Sequence, residues 1–150
     1  LIGLECLGAA QASVDETWAY VQEREAFGAP IVQYQGVSFP LAEAETQLTM
    51  MRQLCYYTLD LRDRGMPHTS QAAMCKWYLP KTACEILHQC LILHGHYGYT
   101  TDLPHHQRYN DVLGLQIGDG TAQIQKLVIA REKAGRVALQ YDKKAKGASK

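Results

Sequence analysis

Residues 1–25 read LIGLECLGAAQASVDETWAYVQERE, and the spacing of their apolar side chains indicates the fold class. These side chains recur every three or four residues, which is the period of one face of an α-helix. The pattern therefore predicts a first helix that ends near Glu25. Its face consists of Leu4, Leu7, Gln11, Val14, Trp18 and Val21.

A second amphipathic helix is predicted after a break. The stretch FGAPIVQYQG at 27–36 interrupts the helical period with two glycines and a proline. Ser38 then supplies a capping residue, and Pro40 falls in the first turn, where proline is tolerated. Gly65 is suited to end this helix. The helix face consists of Leu41, Ala44, Leu48, Met51, Cys55 and Leu59.

The third predicted helix begins after a cap at Thr69 or Ser70. Pro80 falls in its interior, where proline removes one backbone hydrogen bond and clashes with the preceding turn. We therefore expect this helix to be kinked or split at Pro80. Its apolar face consists of Ala73, Trp77, Pro80, Cys84, Leu87 and Leu91.

The remaining segments complete a helical fold. A loop rich in glycine and aromatic residues covers 94–104, a short helix follows from about His105 to Leu113, and a last helix runs from Thr121 to about Arg136. No segment alternates as a half-buried strand does. We predict an all-α fold in which residues 1–136 form an antiparallel four-helix bundle. Residues 137–150 are predicted to be a helix end and a disordered tail.

Composition excludes several classes of protein. The 150 residues suit one domain, and 15 basic residues balance 15 acidic ones, so we expect neither nucleic acid nor a membrane surface as partner. Five cysteines without a CxxC pair suit reduced core thiols, which favours a cytoplasmic location. No apolar run is long enough to span a membrane. The helical pattern is already under way at Leu1, so we expect the chain to be a piece of a longer protein.

The histidines do not predict a metal site. His94, His96, His105 and His106 lie in or beside one loop, and Cys84 and His88 are four residues apart on a helix. Together they do not make a strong zinc-binding spacing, and polar loop histidines are the more ordinary interpretation. We therefore predict no metal.

Two charged residues have both a structural and a chemical interpretation. Asp119 lies between Gly118 and Gly120, directly before a helix, so it either caps that helix or is a base that a ligand can approach closely. Arg24 lies at the end of the first helix beside Phe27. It either complements the helix dipole or binds the phosphates of a cofactor.

Three stretches together resemble the C-terminal helical domain of the acyl-CoA dehydrogenases. They are YVQEREAFGAPIVQYQGVSFPLAEAETQL, LHGHYGYTTDLPHHQRYNDV and LQIGDGTAQIQKLVIARE, and the resemblance covers about residues 1–136. It implies a helical bundle that assembles as a dimer or tetramer and supplies part of an FAD site. That family has an upstream helical domain and a β-domain, neither of which matches this sequence.

The resemblance also implies roles for individual residues. Arg24 matches an arginine that meets the FAD pyrophosphate, Phe27 an aromatic residue near the adenosine, and Gln35 a glutamine near the adenine. Gly95 matches the first glycine of a paired-glycine loop that approaches the cofactor of the adjacent subunit, and position 96 is His where the family usually has the second glycine. Two further matched residues contact FAD after the catalytic position, namely Thr121 and Gln123.

Asp119 matches the catalytic base of the family. Most straight-chain members have Glu there, preceded by Tyr, whereas this sequence has Gly118 and Asp119. The base removes the proton alpha to a thioester carbonyl while hydride leaves the beta carbon for the flavin. Some relatives that act on ring or branched acyl groups, such as cyclohexanecarboxyl-CoA dehydrogenases, use Asp.

The resemblance thus implies an FAD-dependent oxidation of an acyl-CoA, with an electron-transfer flavoprotein or a similar carrier as acceptor. Two alternatives stay open. One is a non-catalytic helical oligomerisation module in which Asp119 is only a cap. The other is a flavoenzyme similar to the nitroalkane oxidases, which also use Asp.

Overall fold

A computed structural model describes residues 1–140, and within them the chain is almost entirely helical. The all-α prediction is confirmed. Four long helices make up most of the fold. They are connected by a ribbon of two strands, each two residues long, and by two shorter helices. The elements are α1 (Ile2–Glu23), β1 (Glu25–Ala26), β2 (Ala29–Pro30), α2 (Gln35–Asp63), α3 (Thr69–Leu93), α4 (His96–Tyr99), α5 (His105–Leu115) and α6 (Ala122–Ala134).

The central element is α3, which packs against α1, α2, α5 and α6. Its buried face meets the apolar faces of α1 and α2, and these three helices enclose most of the core. By contrast, α6 buries no residue completely and packs mainly on α3. The largest fully buried apolar side chains are Leu41, Leu48, Met51, Leu79, Ile86 and Leu87.

Three predicted helix starts or interruptions are wrong in detail. Helix α2 begins at Gln35, so Ser38 is not its cap and Pro40 lies inside it. The backbone N–H groups of Val37 and Ser38 already donate to the Tyr34 carbonyl, which starts the helix one turn early. Neither Thr69 nor Ser70 caps α3, because the capping position is His68, without a side-chain hydrogen bond.

Pro80 does not split α3. The helix is continuous from Thr69 to Leu93, with the Pro80 ring buried. Proline removes one N–H donor, but burial of its ring in the core offsets that loss. Gly65, at a φ of +66°, terminates α2 as predicted, with the Met66 N–H donating to the Leu61 carbonyl.

The ends of the chain's elements differ by a few residues from the prediction. Helix α1 ends at Glu23 because residues 25–30 form an antiparallel ribbon, too short to give an alternating pattern. The last helix ends at Ala134 and continues as a 3-10 helix, Gly135–Ala138. Of the segment at 137–150, which is predicted to be a helix end and a disordered tail, residues 141–150 lie outside the described residues. None of the helices within 1–140 combines the length and apolar character that a membrane crossing requires.

Candidate functional site

The loop between α5 and α6 carries Asp119 in a conformation that suits few side chains. Asp119 has a φ of +53° and Gly120 a φ of +96°, so two successive residues adopt positive φ. Aspartate is one of the few non-glycine residues that tolerate this region. The two glycines flanking Asp119 therefore fit a loop whose backbone turns sharply at the carboxylate.

Asp119 does not cap α6. The capping position is Thr121, two residues later, and the Asp119 carboxylate accepts no hydrogen bond from any residue in the described part of the chain. Asp119 is exposed. Within residues 1–140, no contact therefore supports the interpretation that Asp119 is only a helix cap.

Asp119 lines a cavity of about 440 Å³ whose walls are mostly apolar. Small-molecule sites have volumes of this order, with few polar groups among apolar ones. The first turn of α1, the last turns of α2 and the start of α3 form the walls. The lining residues other than Asp119 are Leu1, Ile2, Gly3, Leu4, Cys55, Thr58, Leu59, Ala72, Cys75 and Lys76.

The side of the cavity formed by α2 and α3 carries thiol and hydroxyl groups. The Thr58 Oγ1 and Cys75 Sγ atoms are 3.4 Å apart, and Thr58 Oγ1 also donates to the Leu54 carbonyl. The Cys75 sulfur and burial together raise the pKa of Cys55, which stays a neutral thiol. All five cysteines are free and buried, so the prediction of reduced core thiols is confirmed.

A lysine on α3 holds the Asp119 loop in place. Lys76 Nζ donates to the Leu115 carbonyl at 2.8 Å and to the Gly120 carbonyl at 3.1 Å. These carbonyls lie on either side of Asp119. Lys76 gives no signal in the sequence, because its two partners, Leu115 and Gly120, lie 39 and 44 positions further along the chain.

A second group of candidate residues surrounds the ribbon after α1. Phe27 has a φ of +55° and is 98% exposed, with its ring against Tyr34 at 6.3 Å between centroids. Arg24 is exposed at the end of α1, and its guanidinium has no hydrogen-bond or ion-pair partner within the described residues. Gln35 is exposed at the start of α2.

Arg24 shares a cavity of about 340 Å³ with Gly95 and His96. Gly95 has a φ of +60°, and the space where its side chain would lie is empty to 4 Å. An unpaired guanidinium beside an open stretch of backbone matches what a pyrophosphate needs, since arginine binds phosphate oxygens in a bidentate manner. These residues therefore fit the phosphate portion of a dinucleotide.

The candidate residues form two groups at opposite ends of α3. Arg24 and Gly95 lie near the C-terminal end of α3, whereas Lys76 fixes the Asp119 loop near its start. Lys76 and Leu93, which mark the two groups along α3, are roughly 25 Å apart at the rise of an α-helix. Thr121, half-buried, and Gln123, exposed, belong to the Asp119 group because they open α6.

Among residues 1–140, no three His, Cys, Asp or Glu side chains are grouped as metal ligands are.

The family described as "Acyl-CoA dehydrogenase, C-terminal domain" matches residues 1–134. The chain belongs to this family. The helical bundle and the loop between α5 and α6 are thus those of an acyl-CoA dehydrogenase C-terminal domain.

Two curated proteins are similar to this chain over most of its length. The chain is 37% identical to an acryloyl-CoA reductase (NADH) of Anaerotignum propionicum, over 87% of this chain and 33% of that protein. It is 38% identical to the mitochondrial short-chain specific acyl-CoA dehydrogenase of Rattus norvegicus, over 86% of this chain and 31% of that protein. The chain thus spans about a third of the length of these relatives.

Solved structures of the family have the same fold. The butyryl-CoA dehydrogenase of Megasphaera elsdenii has a TM-score of 0.86 at 28% identity, over 89% of this chain and 35% of that one. The glutaryl-CoA dehydrogenase of Mycobacterium smegmatis in complex with FADH2 has a TM-score of 0.87 at 27% identity, over 93% of this chain and 36% of that one.

Proposed function

We propose that this chain supplies the catalytic base and part of the FAD site of an acyl-CoA dehydrogenase. The observation that carries the proposal is Asp119, an exposed carboxylate with no capping contact that lines an apolar cavity of about 440 Å³. A base that acts beside an acyl chain needs a free carboxylate next to apolar walls. Family membership supports the same role.

The reaction removes two hydrogens from an acyl-CoA. Asp119 takes the proton from the carbon alpha to the thioester carbonyl, and a hydride leaves the beta carbon, so that a 2,3-enoyl thioester forms. FAD, when bound, accepts the hydride. The apolar side chains of α1 and α2 around the cavity keep water from the reacting carbons, which strengthens the action of the carboxylate.

We propose an acyl group that is cyclic or branched at the alpha carbon. Gly118 has no side chain, and a Cβ placed there would meet only the Gly114 carbonyl, at 3.5 Å. The space beside the base is therefore open. Asp119 is also one methylene shorter than glutamate, so a bulkier alpha carbon can lie within its reach.

FAD is the cofactor we propose, held by both groups of candidate residues. Arg24, Phe27, Gln35, Gly95 and His96 would bind its phosphate and adenosine portions. The other group, Thr121 and Gln123, would contact FAD beside the base. Because α3 separates the groups, we propose that each FAD is shared between subunits of a cytoplasmic dimer or tetramer.

The electron acceptor in this proposal is an electron-transfer flavoprotein or a similar carrier. The similarity to an acryloyl-CoA reductase supports a reaction between the same two carbons and leaves its direction to be measured. The test therefore includes both directions.

The experiment is a substrate panel with the complete, FAD-loaded gene product that contains this chain. Cyclohexanecarboxyl-CoA, 2-methyl-branched thioesters, butyryl-CoA, octanoyl-CoA and a nitroalkane are each added without acceptor, and flavin bleaching is followed. We expect the ring or branched thioesters to bleach the flavin fastest. The matching enoyl thioesters are added to the reduced protein to measure the reverse direction.

Asp119→Asn supplies the matched variant, with Asp111→Asn on the exposed face of α5 as control. The Asn variant should retain FAD and unfold at the parental temperature, while bleaching slows about a hundredfold or more, which is the usual contribution of a positioned base. Bleaching at the parental rate would leave Asp119 without a catalytic role. No bleaching of the parent by any thioester would favour the oligomerisation module, and bleaching by the nitroalkane alone would favour an oxidase of that type.

A further inference from the structure

We infer that Lys76 is a positioning residue for Asp119. This inference rests on the proposed function, in which Asp119 is the base. The Lys76 ammonium donates to the carbonyl of Leu115, the last residue of α5, and to that of Gly120. One cation on α3 therefore binds both ends of the segment that presents the carboxylate.

Apart from the bonds of Lys76, the loop is held by local backbone hydrogen bonds and by one hydrogen bond between the Gln116 side chain and the Cys84 thiol on α3. Within residues 115–120, backbone hydrogen bonds run only to the preceding turn, from Gln116 to Leu113 and from Ile117 and Gly118 to Gly114. No side chain of the described residues other than Lys76 donates to the backbone of this loop. The turn at Asp119 and Gly120 is thus held from outside by Lys76.

The conformation of Asp119 makes such support necessary. Two successive residues with positive φ, one of them not glycine, persist only where the surroundings fix them. Without Lys76, Gly118 and Gly120 would give the segment many alternative conformations. Only some of these would direct the carboxylate at the cavity, and the loss of a correct geometry for a base slows proton transfer severely.

Lys76 lies on a part of α3 that also anchors α6. The neighbouring Trp77 ring is 4.5 Å from Lys126 Nζ, a cation–π contact that joins α3 to α6. Because this contact involves neither loop carbonyl, the position of α6 and the shape of the loop have separate supports. Removing the Lys76 ammonium should therefore loosen the loop while α6 stays docked.

The ordinary alternative is that Lys76 only caps α5. A lysine at a helix C-terminus commonly binds the last carbonyls, as Lys76 does at Leu115. The bond to Gly120 goes beyond that role because Gly120 belongs to the turn directly after the base. The experiment must therefore separate loop geometry from helix stability.

The first measurement needs no activity. Lys76→Met keeps the length of the stem without the ammonium, Lys76→Arg restores two donors, and Lys81→Met removes an exposed lysine of the same helix that pairs with Glu85. We expect hydrogen exchange in peptides covering 114–121 to accelerate at least about tenfold in Lys76→Met and to stay parental in the other two. Unchanged exchange in Lys76→Met would overturn the inference.

The second measurement uses the complete, FAD-loaded gene product and the best thioester of the panel. In Lys76→Met, the rate of flavin bleaching at saturating substrate should fall about tenfold to a hundredfold, while the apparent Kd of the thioester changes less than about threefold. Lys76→Arg should recover most of the rate. A rise in Kd with an unchanged rate, or loss of FAD or helical content in Lys76→Met, would make Lys76 an ordinary binding or structural residue.

The two failures are distinguishable. If no thioester bleaches the parent, the proposed function fails, and the exchange measurement still reports whether Lys76 holds the loop. If the parent bleaches and Lys76→Met bleaches equally fast, the proposed function stands and the positioning role fails.

Discussion

At the residue scale, His105 is an unusual part of the core. Its side chain is fully buried, neither ring nitrogen has a hydrogen-bond partner, and its ring lies 4.3 Å from that of His94. Glu16, whose Oε2 pairs with Arg108 Nη1 at 2.7 Å, lies 4.0 Å from His105 Nε2. Burial, followed by the neighbouring His94, lowers the pKa of His105 to about 4.

This lowered pKa predicts a loss of stability in mild acid. The unfolded chain takes up a proton on His105 near its ordinary pKa of 6.5, whereas the folded chain does so only near 4. Stability should therefore fall as the pH drops from about 6.5 to 4, by roughly 3 kcal/mol in total at about 1.4 kcal/mol per pH unit. The hydrogen bond from the Arg108 guanidinium lowers the pKa of Glu16 below its ordinary value of 4.5. Protonation of Glu16 therefore lowers the stability of the fold only in more acidic solution than protonation of His105 does.

His105→Phe tests this prediction, because a phenyl ring keeps the stacking and does not titrate. Urea unfolding of the 150-residue chain from pH 7.5 to 4.5 should show a much flatter stability profile for this variant than for the parent. At pH 7 the variant should be about 1–3 kcal/mol more stable, since no buried polar group is left unpaired. His106→Phe, at the exposed neighbour, is the control. Equal profiles for parent and His105→Phe would contradict the assignment.

At the element scale, the contact of α1 with α2 and α3 depends on Gly3. A Cβ at this position would lie 2.9 Å from Leu79 Cδ2 and 3.2 Å from Cys55 Sγ. Leu79 is fully buried, so its side chain must shift within the packed core to make room for the added Cβ. Gly8, also on α1, is exposed and has empty space around it. The two glycines of one helix therefore differ in what they permit.

Two alanine variants should accordingly shift stability in opposite directions. Gly3→Ala should lower the free energy of unfolding by about 1–3 kcal/mol, the usual cost of overpacking a core. Gly8→Ala should raise it by about 0.5–1 kcal/mol, because alanine loses less conformational entropy in a helix. Urea denaturation of both variants checks this. Shifts of the same sign would mean that α1 does not approach its neighbours as closely as the structure has it.

Among the elements, the long helices could be predicted from the sequence, whereas the short elements and some helix starts could not. Helical periodicity predicted α1, α2 and α3 because each of them buries one face in the core, and the same period marked α6, which packs on α3 without a fully buried residue. It missed the ribbon at 25–30 and the four-residue helix α4, which are too short to have a period. Capping patterns failed at Ser38 because the Tyr34 carbonyl already accepts the N–H groups of Val37 and Ser38, so α2 begins one turn earlier. Asp119 was found through its flanking glycines, whereas Lys76 has no signal because its contacts are distant in sequence.

At the scale of the whole molecule, the separation of the two candidate groups has a consequence for assembly. Arg24 with Gly95 lies beyond the C-terminal end of α3, and Asp119 with Thr121 lies beside Lys76, roughly 25 Å away along this helix. Exposed apolar side chains such as Phe27, Ile117 and Val137 leave surface available for neighbouring subunits or domains. If two subunits share each FAD, one subunit's Arg24 and another's Asp119 serve the same site.

Mixed oligomers of two defective variants test this sharing. Arg24→Ala should lose FAD at limiting cofactor, since a charge-assisted bond to phosphate contributes about 1.5–3 kcal/mol, and Asp119→Asn should keep FAD but not bleach. Both variants are made in the complete gene product, mixed, dissociated and allowed to reassociate. The mixed oligomers should then contain some sites with an intact Arg24 from one subunit and an intact Asp119 from another. Rapid bleaching should then return, with an amplitude of about a quarter of the parental value for random pairing. Each variant reassociated alone is the control, and a mixture as inactive as its components would mean that every site is built within one subunit.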